Sequence, residues 1–172
     1  MEKQISGLLQ FSRYGTKKLE VEMVALKPRF DSAVEVFNDY YKPKELIYTN
    51  SADIQVSADP ALLDTIIENL ISNAIKYALP KGTVKISISA NVTEHETVIC
   101  ICDNGVGFDM HYYHKIFGIF QRLHNDHEFE GMGIGLAHVQ RIVERHGGRI
   151  WAESKLKEGS CFYLAFPTIS AC

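Results

Sequence analysis

Between Asp59 and Gly82 the pattern of apolar and polar positions predicts one long helix with two working faces. Leu63, Ile66, Ile67, Leu70, Ile71, Ala74 and Ile75 recur at three- and four-residue steps and form a wide apolar face. Asn69, Asn73, Lys76 and Tyr77 recur at the same steps on a second stripe, so two amides, an ammonium and a phenol converge on one patch. Asp59-Pro60 supplies the start, an N-capping acid followed by proline in the first turn, and Leu79-Pro80-Lys81-Gly82 the stop.

Downstream, Val84, Ile86, Ile88 and Ala90 alternate with Lys85, Ser87 and Ser89, which predicts a strand with one wet face. Val98-Ile99-Cys100-Ile101-Cys102 is apolar throughout and predicts a central strand buried on both sides. Residues 112–120 suggest a short helix, and the polar run 121–132 is expected to be a mobile loop. Leu136, Val139, Ile142 and Val143 mark the inner face of a helix that opens at Gly133-Ile134-Gly135 and ends at Gly147-Gly148. The last two strands, 149–154 and 160–166, are joined by a hairpin turn at Lys157-Glu158-Gly159.

Upstream, Ile5, Leu8 and Leu9 predict a helix over residues 1–20 that needs a partner to bury its apolar side. Residues 19–24 are extended in character, and Lys27-Pro28 is expected to stop any helix there. Asp31 is the expected N-cap of a helix that ends near Pro43 and has Ala33, Val34, Val36, Phe37, Tyr40 and Tyr41 as its apolar face. Residues 45–50 and 54–57 read as two short strands around a turn at Asn50-Ser51-Ala52-Asp53. This order predicts an α+β fold: a two-layer sandwich of one mixed, mostly antiparallel sheet, covered on one face by about three helices, with the N-terminal helix added.

Composition adds limits. The 172 residues are 46% hydrophobic and 23% charged, with net charge -3, an ordinary globular balance. No apolar run reaches the roughly eighteen residues of a membrane-spanning helix, and no signal-peptide core follows Met1. No basic block points to nucleic acid. Cys100 and Cys102 share a strand face, but no Cys or His set at finger spacing accompanies them. The cysteines are therefore expected to be small buried thiols in a reducing cytoplasm.

Two glycine motifs carry chemistry. Asp103-x-Gly105-x-Gly107 lies where a strand ends: its carboxylate can accept a hydrogen bond from a ligand amine, and the glycines let the backbone approach a flat ring. The same residues also suit an ordinary tight turn. Gly131-Met132-Gly133-Ile134-Gly135 opens a helix, where free amides can bind phosphate or a lid can hinge. It is neither a dinucleotide fingerprint nor a P-loop, lacking the preceding strand of the one and the Lys-Ser/Thr of the other.

In order, the Asn-rich helix, the Asp-x-Gly-x-Gly turn, Phe117-Gly118-Ile119-Phe120 and the Gly-x-Gly-x-Gly helix start resemble the catalytic, ATP-binding domain of two-component sensor histidine kinases, the Bergerat-type fold. The segments 69–77, 103–107, 117–120 and 131–135 match that family's N, G1, F and G2 boxes, and Gly159-Ser160-x-Phe162 its last glycine box. Phe120-Gln121-Arg122-Leu123-His124 and the run 143–151 are similar to the phytochrome-like group. The resemblance implies that Asn73 holds Mg²⁺, that Lys76 pairs with phosphate oxygens and that Tyr77 packs on the nucleotide. Asp103 would bind the adenine amine, with Gly105 and Gly107 shaping the base pocket. Phe117 and Phe120 would belong to the lid, and Arg122 would lie near the γ-phosphate. Gly131, Gly133 and Gly135 would hinge the lid and offer amides, with Leu136 and Ser160 completing the nucleotide site.

The resemblance further implies a parent homodimer, a phosphoacceptor histidine on its dimerisation hairpin, a response regulator receiver domain as partner, and a cytoplasmic location even if the parent is membrane-anchored. Residues 1–24 resemble the second helix of that hairpin, in Leu8-Leu9-Gln10-Phe11-Ser12-Arg13, and 25–168 the catalytic domain. No histidine occurs in residues 1–25, and His127-Glu128 falls in the expected lid, so the chain is expected to bind ATP without phosphorylating itself. The other histidines are expected on surfaces and helix faces. Two alternatives use the same boxes: a serine-directed kinase of the anti-sigma type, and a nucleotide-dependent interaction module without chemistry. In the related gyrase, mismatch-repair and heat-shock ATPases a glutamate stands at the position of Asn69 and activates water; an amide cannot act as a base. Slow ATP hydrolysis is therefore expected, and Asn69→Glu should raise the steady-state rate; an unchanged rate in a folded variant contradicts the assignment.

Overall fold

Strand register decides where the core lies. A computed structural model of the protein describes residues 18–119, 121 and 133–168; the expected helix at its positions 1–17, and Phe120, Arg122 and Gly131, lie outside the described residues. In chain order the elements are β1 (Glu22–Ala25), α1 (Leu26–Tyr41), β2 (Glu45–Asn50), β3 (Gln55–Ala58), α2 (Pro60–Ala78), β4 (Thr83–Val92), β5 (Glu96–Asp103), α3 (Gly135–Arg145), β6 (Arg149–Lys155) and β7 (Gly159–Pro167). Short 3₁₀ turns occupy Leu79–Lys81 and Met110–Lys115. One sheet has the order β2-β4-β5-β7-β6, and β1 and β3 form a separate two-stranded sheet. The pairs are antiparallel except β2–β4, which is parallel.

Period-two alternation sends Ile86, Ile88, Ile99, Ile101, Leu164 and Phe166 to one face of the large sheet. There they meet Leu63, Ile66, Ile67, Leu70, Ile71, Ala74 and Ile75 of α2 and Val139, Ile142 and Val143 of α3 in one core. Each large apolar side chain removed from water in this way contributes about 1.5–3 kcal/mol. The α+β sandwich expected from the pattern is the fold observed.

Five expectations need correction. Pro28 does not stop a helix: it is the third residue of α1, within the first turn, where its missing N–H has no intrahelical acceptor to lose. Consequently Asp31 is no N-cap. Its carboxylate accepts hydrogen bonds from Tyr48 Oη and Asn50 Nδ2, both at 2.8 Å, and ties α1 to β2. Burial tends to raise the Asp31 pKa, but these bonds and the Lys27 charge outweigh it and hold the carboxyl below its ordinary value. Nor do β2 and β3 form a hairpin, since each pairs with a different sheet.

Finally, β5 is not buried on both sides, and its cysteines are not all thiols. Ile99 and Ile101 enter the core, whereas Cys100 and Cys102 sit half-buried on the face opposite the helices. Register places Cys102 directly across from Cys161, and the two form a disulfide 59 residues apart in sequence. Closing a loop of that length removes about 4 kcal/mol of chain entropy from the unfolded state. On the same face Arg149 pairs with Glu96 and lies 4.9 Å above Trp151, whose ring stacks on Tyr163.

Asp59 joins three parts of the fold. Its Oδ1 accepts the amides of Ala61 and Leu62 as the N-cap of α2, and its Oδ2 accepts that of Glu20. Its own N–H donates to His146 Nε2 at 3.0 Å, just past the end of α3, and His146 Nδ1 in turn bonds the Ile142 carbonyl at 2.7 Å. Asp59→Ala is expected to lower stability by about 2 kcal/mol. Urea unfolding should show a reduced midpoint with an unchanged slope.

Candidate functional site

The polar stripe of α2 makes contact at both of its ends. Asn69, Asn73, Lys76 and Tyr77 are all half-buried, while neighbouring Glu68 is exposed. At the near end, Asn69 donates through Nδ2 to the Thr65 carbonyl at 2.7 Å. Its Oδ1 faces the first residue of α3: a Cβ on Gly135 would lie 2.5 Å from that oxygen. A side chain there would force the Asn69 amide to shift.

At the far end, the Val106 N–H donates to the Tyr77 carbonyl at 3.0 Å. Asp103 closes the turn from its own side by accepting the Gly105 N–H at 2.7 Å. A Cβ on Gly105 would fall 2.7 Å from Asp103 Oδ1 and 2.9 Å from the Tyr77 carbonyl. Gly107 adopts φ +61°, and a Cβ there would meet the Lys155 carbonyl at 2.1 Å. The Lys157 N–H donates to the Val106 carbonyl at 2.7 Å, and the Phe108 N–H to Ser154 Oγ at 2.8 Å. The Asp-x-Gly-x-Gly turn is thus clamped between the end of α2 and the β6–β7 hairpin. Asn73 and Lys76 lie on α2 between these two contacts, with Lys76 Nζ 4.6 Å from the Tyr77 ring centre.

The other candidates fall around this frame. Ser160 is buried opposite Asp103 in register and shares a hydrogen bond with Ser154 Oγ at 2.8 Å. Phe117 and Leu136 are half-buried and pack both on the main core and on a smaller cluster of Phe108, Ile116 and Ala152. Gly133 adopts φ +68° two residues before α3. Sequence reasoning missed Ser154, although its pairing with Ser160 across the hairpin was open to inspection. It also missed that Tyr77 serves the turn through its carbonyl, which side-chain patterns do not signal. Burial pushes the Asp103 carboxyl up to about 6, against the opposing pull of the Gly105 and Ser160 amides. A groove between β1, α1 and the start of α2 involves none of these residues.

Residues 58–170 match the family described as histidine kinase-, DNA gyrase B-, and HSP90-like ATPase. The chain belongs to this family. Among its relatives, the phytochrome-like protein Cph1 of Synechocystis sp. is 35% identical over 97% of this chain and 22% of its own length. The adaptive-response sensory kinase SasA of Synechococcus elongatus is 34% identical over 97% of this chain and 44% of its own. The chain thus spans less than half of either relative. The structure of full-length ShkA in complex with AMPPNP is similar with TM-score 0.78 and 25% identity, over 97% of this chain and 36% of that one. The mycobacterial sensor histidine kinase MprB, at 24% identity and TM-score 0.71 over 86% of this chain and 97% of that one, shows the same fold. The resemblance read from the four boxes is therefore correct. Among the described residues, no helix is long and apolar enough to cross a membrane.

The raised Asp103 pKa sets a direction for stability. The folded carboxyl holds its proton up to about 6, well above the ordinary value of 3.8, so the folded chain binds the extra proton between these limits. This group's contribution is most favourable below about 4 and declines as pH rises through about 6, by on the order of 3 kcal/mol. Asp103→Asn should remove that slope, read as a stability gain over the parent that is larger at pH 7.5 than at pH 4.5 in urea titrations.

Proposed function

We propose that this chain binds ATP with Mg²⁺ and delivers the γ-phosphoryl group to a histidine on a dimerisation domain of its parent protein, in two-component signalling. The observation that carries the reading is the α2 stripe, seated on the Asp103 turn through Tyr77 and on the start of α3 through Asn69. Three segments distant in sequence thereby frame one patch with a carboxylate, an ammonium and amides.

Each residue has a task that follows from its chemistry. Above its pKa the Asp103 carboxylate accepts a hydrogen bond from the adenine amine, and the glycine turn admits the flat base. Lys76 offers positive charge to phosphate oxygens, and Tyr77 an aromatic plate. The free amides at the start of α3 suit phosphate. Phe117 and Leu136 wall the site with apolar surface, while Ser160 holds the turn through Ser154. Phe120, Arg122 and Gly131 complete the lid and its phosphate contacts. Asn73 fits Mg²⁺, an ion that keeps several waters and needs only one or two protein oxygens beside the phosphates. Bound there, the ion would neutralise charge on the transferring group. Asn69, lacking basicity, leaves water unactivated and so favours transfer to a protein acceptor.

The acceptor histidine belongs to a dimerisation domain preceding residue 25, in a parent homodimer, and the phosphoryl group passes on to a response regulator receiver domain. We assign the catalytic domain to 25–168 and place it in the cytoplasm, where ATP is available. Calorimetry with ATP should show binding that requires Mg²⁺, weakens below about pH 6 and falls about tenfold or more in Asn73→Ala. With labelled ATP, the chain should label a purified phosphoacceptor hairpin on histidine. A folded sample without Mg²⁺-dependent binding overturns the reading.

A further inference from the structure

The face of the large sheet opposite the helices carries a group of sulfurs that ATP binding leaves unused. Cys100 and Cys102 lie there on β5, and Cys161 lies beside them on β7. All three are half-buried, within reach of solvent, and their sulfurs lie within 4.8 Å of one another. Cys102 and Cys161 are bonded, and Cys100 keeps its thiol, with Sγ 3.5 Å from Cys102 Sγ. Burial holds the Cys100 thiol above its ordinary value, so it stays protonated near neutrality and is a poor competitor for the bond.

The bond sits next to the candidate site. Cys102 precedes Asp103, Cys161 follows Ser160, and Asp103 and Ser160 are register partners. The Ser160 amide helps hold the Asp103 pKa down against burial, and a Cβ on Gly159 would strike the Asp103 carbonyl at 2.0 Å. The covalent loop from Cys102 to Cys161 contains the Asp103 turn, Gly133, Gly135 and α3. The disulfide therefore closes the two strand ends that hold the carboxylate, one residue away.

We propose that Cys102–Cys161 is a site of reversible oxidation, addressed by dithiol reductants and disulfide oxidants, and that its closed form holds ATP more tightly. The coupling rests on the ATP-binding reading above; the redox site itself does not. In the opening step a reductant thiolate attacks one of the two sulfurs, giving a mixed disulfide and releasing the other as a thiolate. The second thiol of the reductant then displaces the remaining cysteine. The S–S bond gains two electrons and two protons, and the dithiol leaves as a disulfide. Opening frees β7 to move relative to β5 beside Asp103, so part of the ordering cost shifts to ATP binding.

The test uses the whole chain, prepared oxidised and after dithiothreitol. In denatured samples Cys102 and Cys161 should resist alkylation before reduction and accept it after, read by peptide mass spectrometry. ATP affinity by calorimetry should weaken about fivefold or more on reduction. Hydrogen exchange at the Gly105 and Val106 amides should accelerate. Cys102→Ser and Cys161→Ser should show the reduced affinity under both conditions, and Cys100→Ser should keep the full response. If a serine variant unfolds, chemical reduction of the parent chain decides alone. Alkylation of Cys102 and Cys161 under oxidising conditions, or equal affinity and equal exchange in both states, overturns the proposal. No ATP binding in either state instead overturns the assigned function; the exchange of Gly105 and Val106 then still decides whether the bond governs the turn.

Discussion

One helix couples the burial that folds this protein to the chemistry proposed for it. The seven apolar side chains of α2 must face the sheet, and the roughly 100° step between residues then fixes where every other side chain of the helix points. Asn69, Asn73, Lys76 and Tyr77 cannot be rotated away without exposing Leu70, Ile71 or Ala74. The orientation of the polar stripe is thus stabilised by the whole core rather than by local contacts.

Backbone proximity does the rest. Gly135 meets only the side-chain amide of Asn69, whereas Gly105 and Gly107 stand where another segment's backbone comes too near for a Cβ, against the Tyr77 and Lys155 carbonyls. Those two glycines set distances between elements that side-chain packing would otherwise widen. The Asp103 carboxyl is half-buried at this junction, and the loss of water around it raises its pKa to about 6.

The readable and unreadable parts of this structure divide along physical lines. Period and capping exposed α2, α3 and the strands of the large sheet, because burial of one face imposes a repeat on the sequence. The glycine boxes were legible because close approach admits few other residues. Pro28 misled because proline disfavours a helix interior yet suits a first turn, and the sequence around it does not say which. The apolar run at 98–102 misled because half-buried cysteines on an open face look like core residues. Pairing choices stayed hidden: neither the separation of β2 from β3 nor the meeting of Cys102 with Cys161 leaves a local trace, since both depend on register between distant strands.

The parallel join of β2 and β4 in an otherwise antiparallel sheet has a topological consequence. A parallel neighbour cannot be reached by a tight turn; the chain must cross over one face before it returns. In this protein the crossover is β3 followed by α2. The helix that carries the polar stripe is therefore the connector itself, and reversing that one strand direction would remove the reason for a helix to span the sheet at that place.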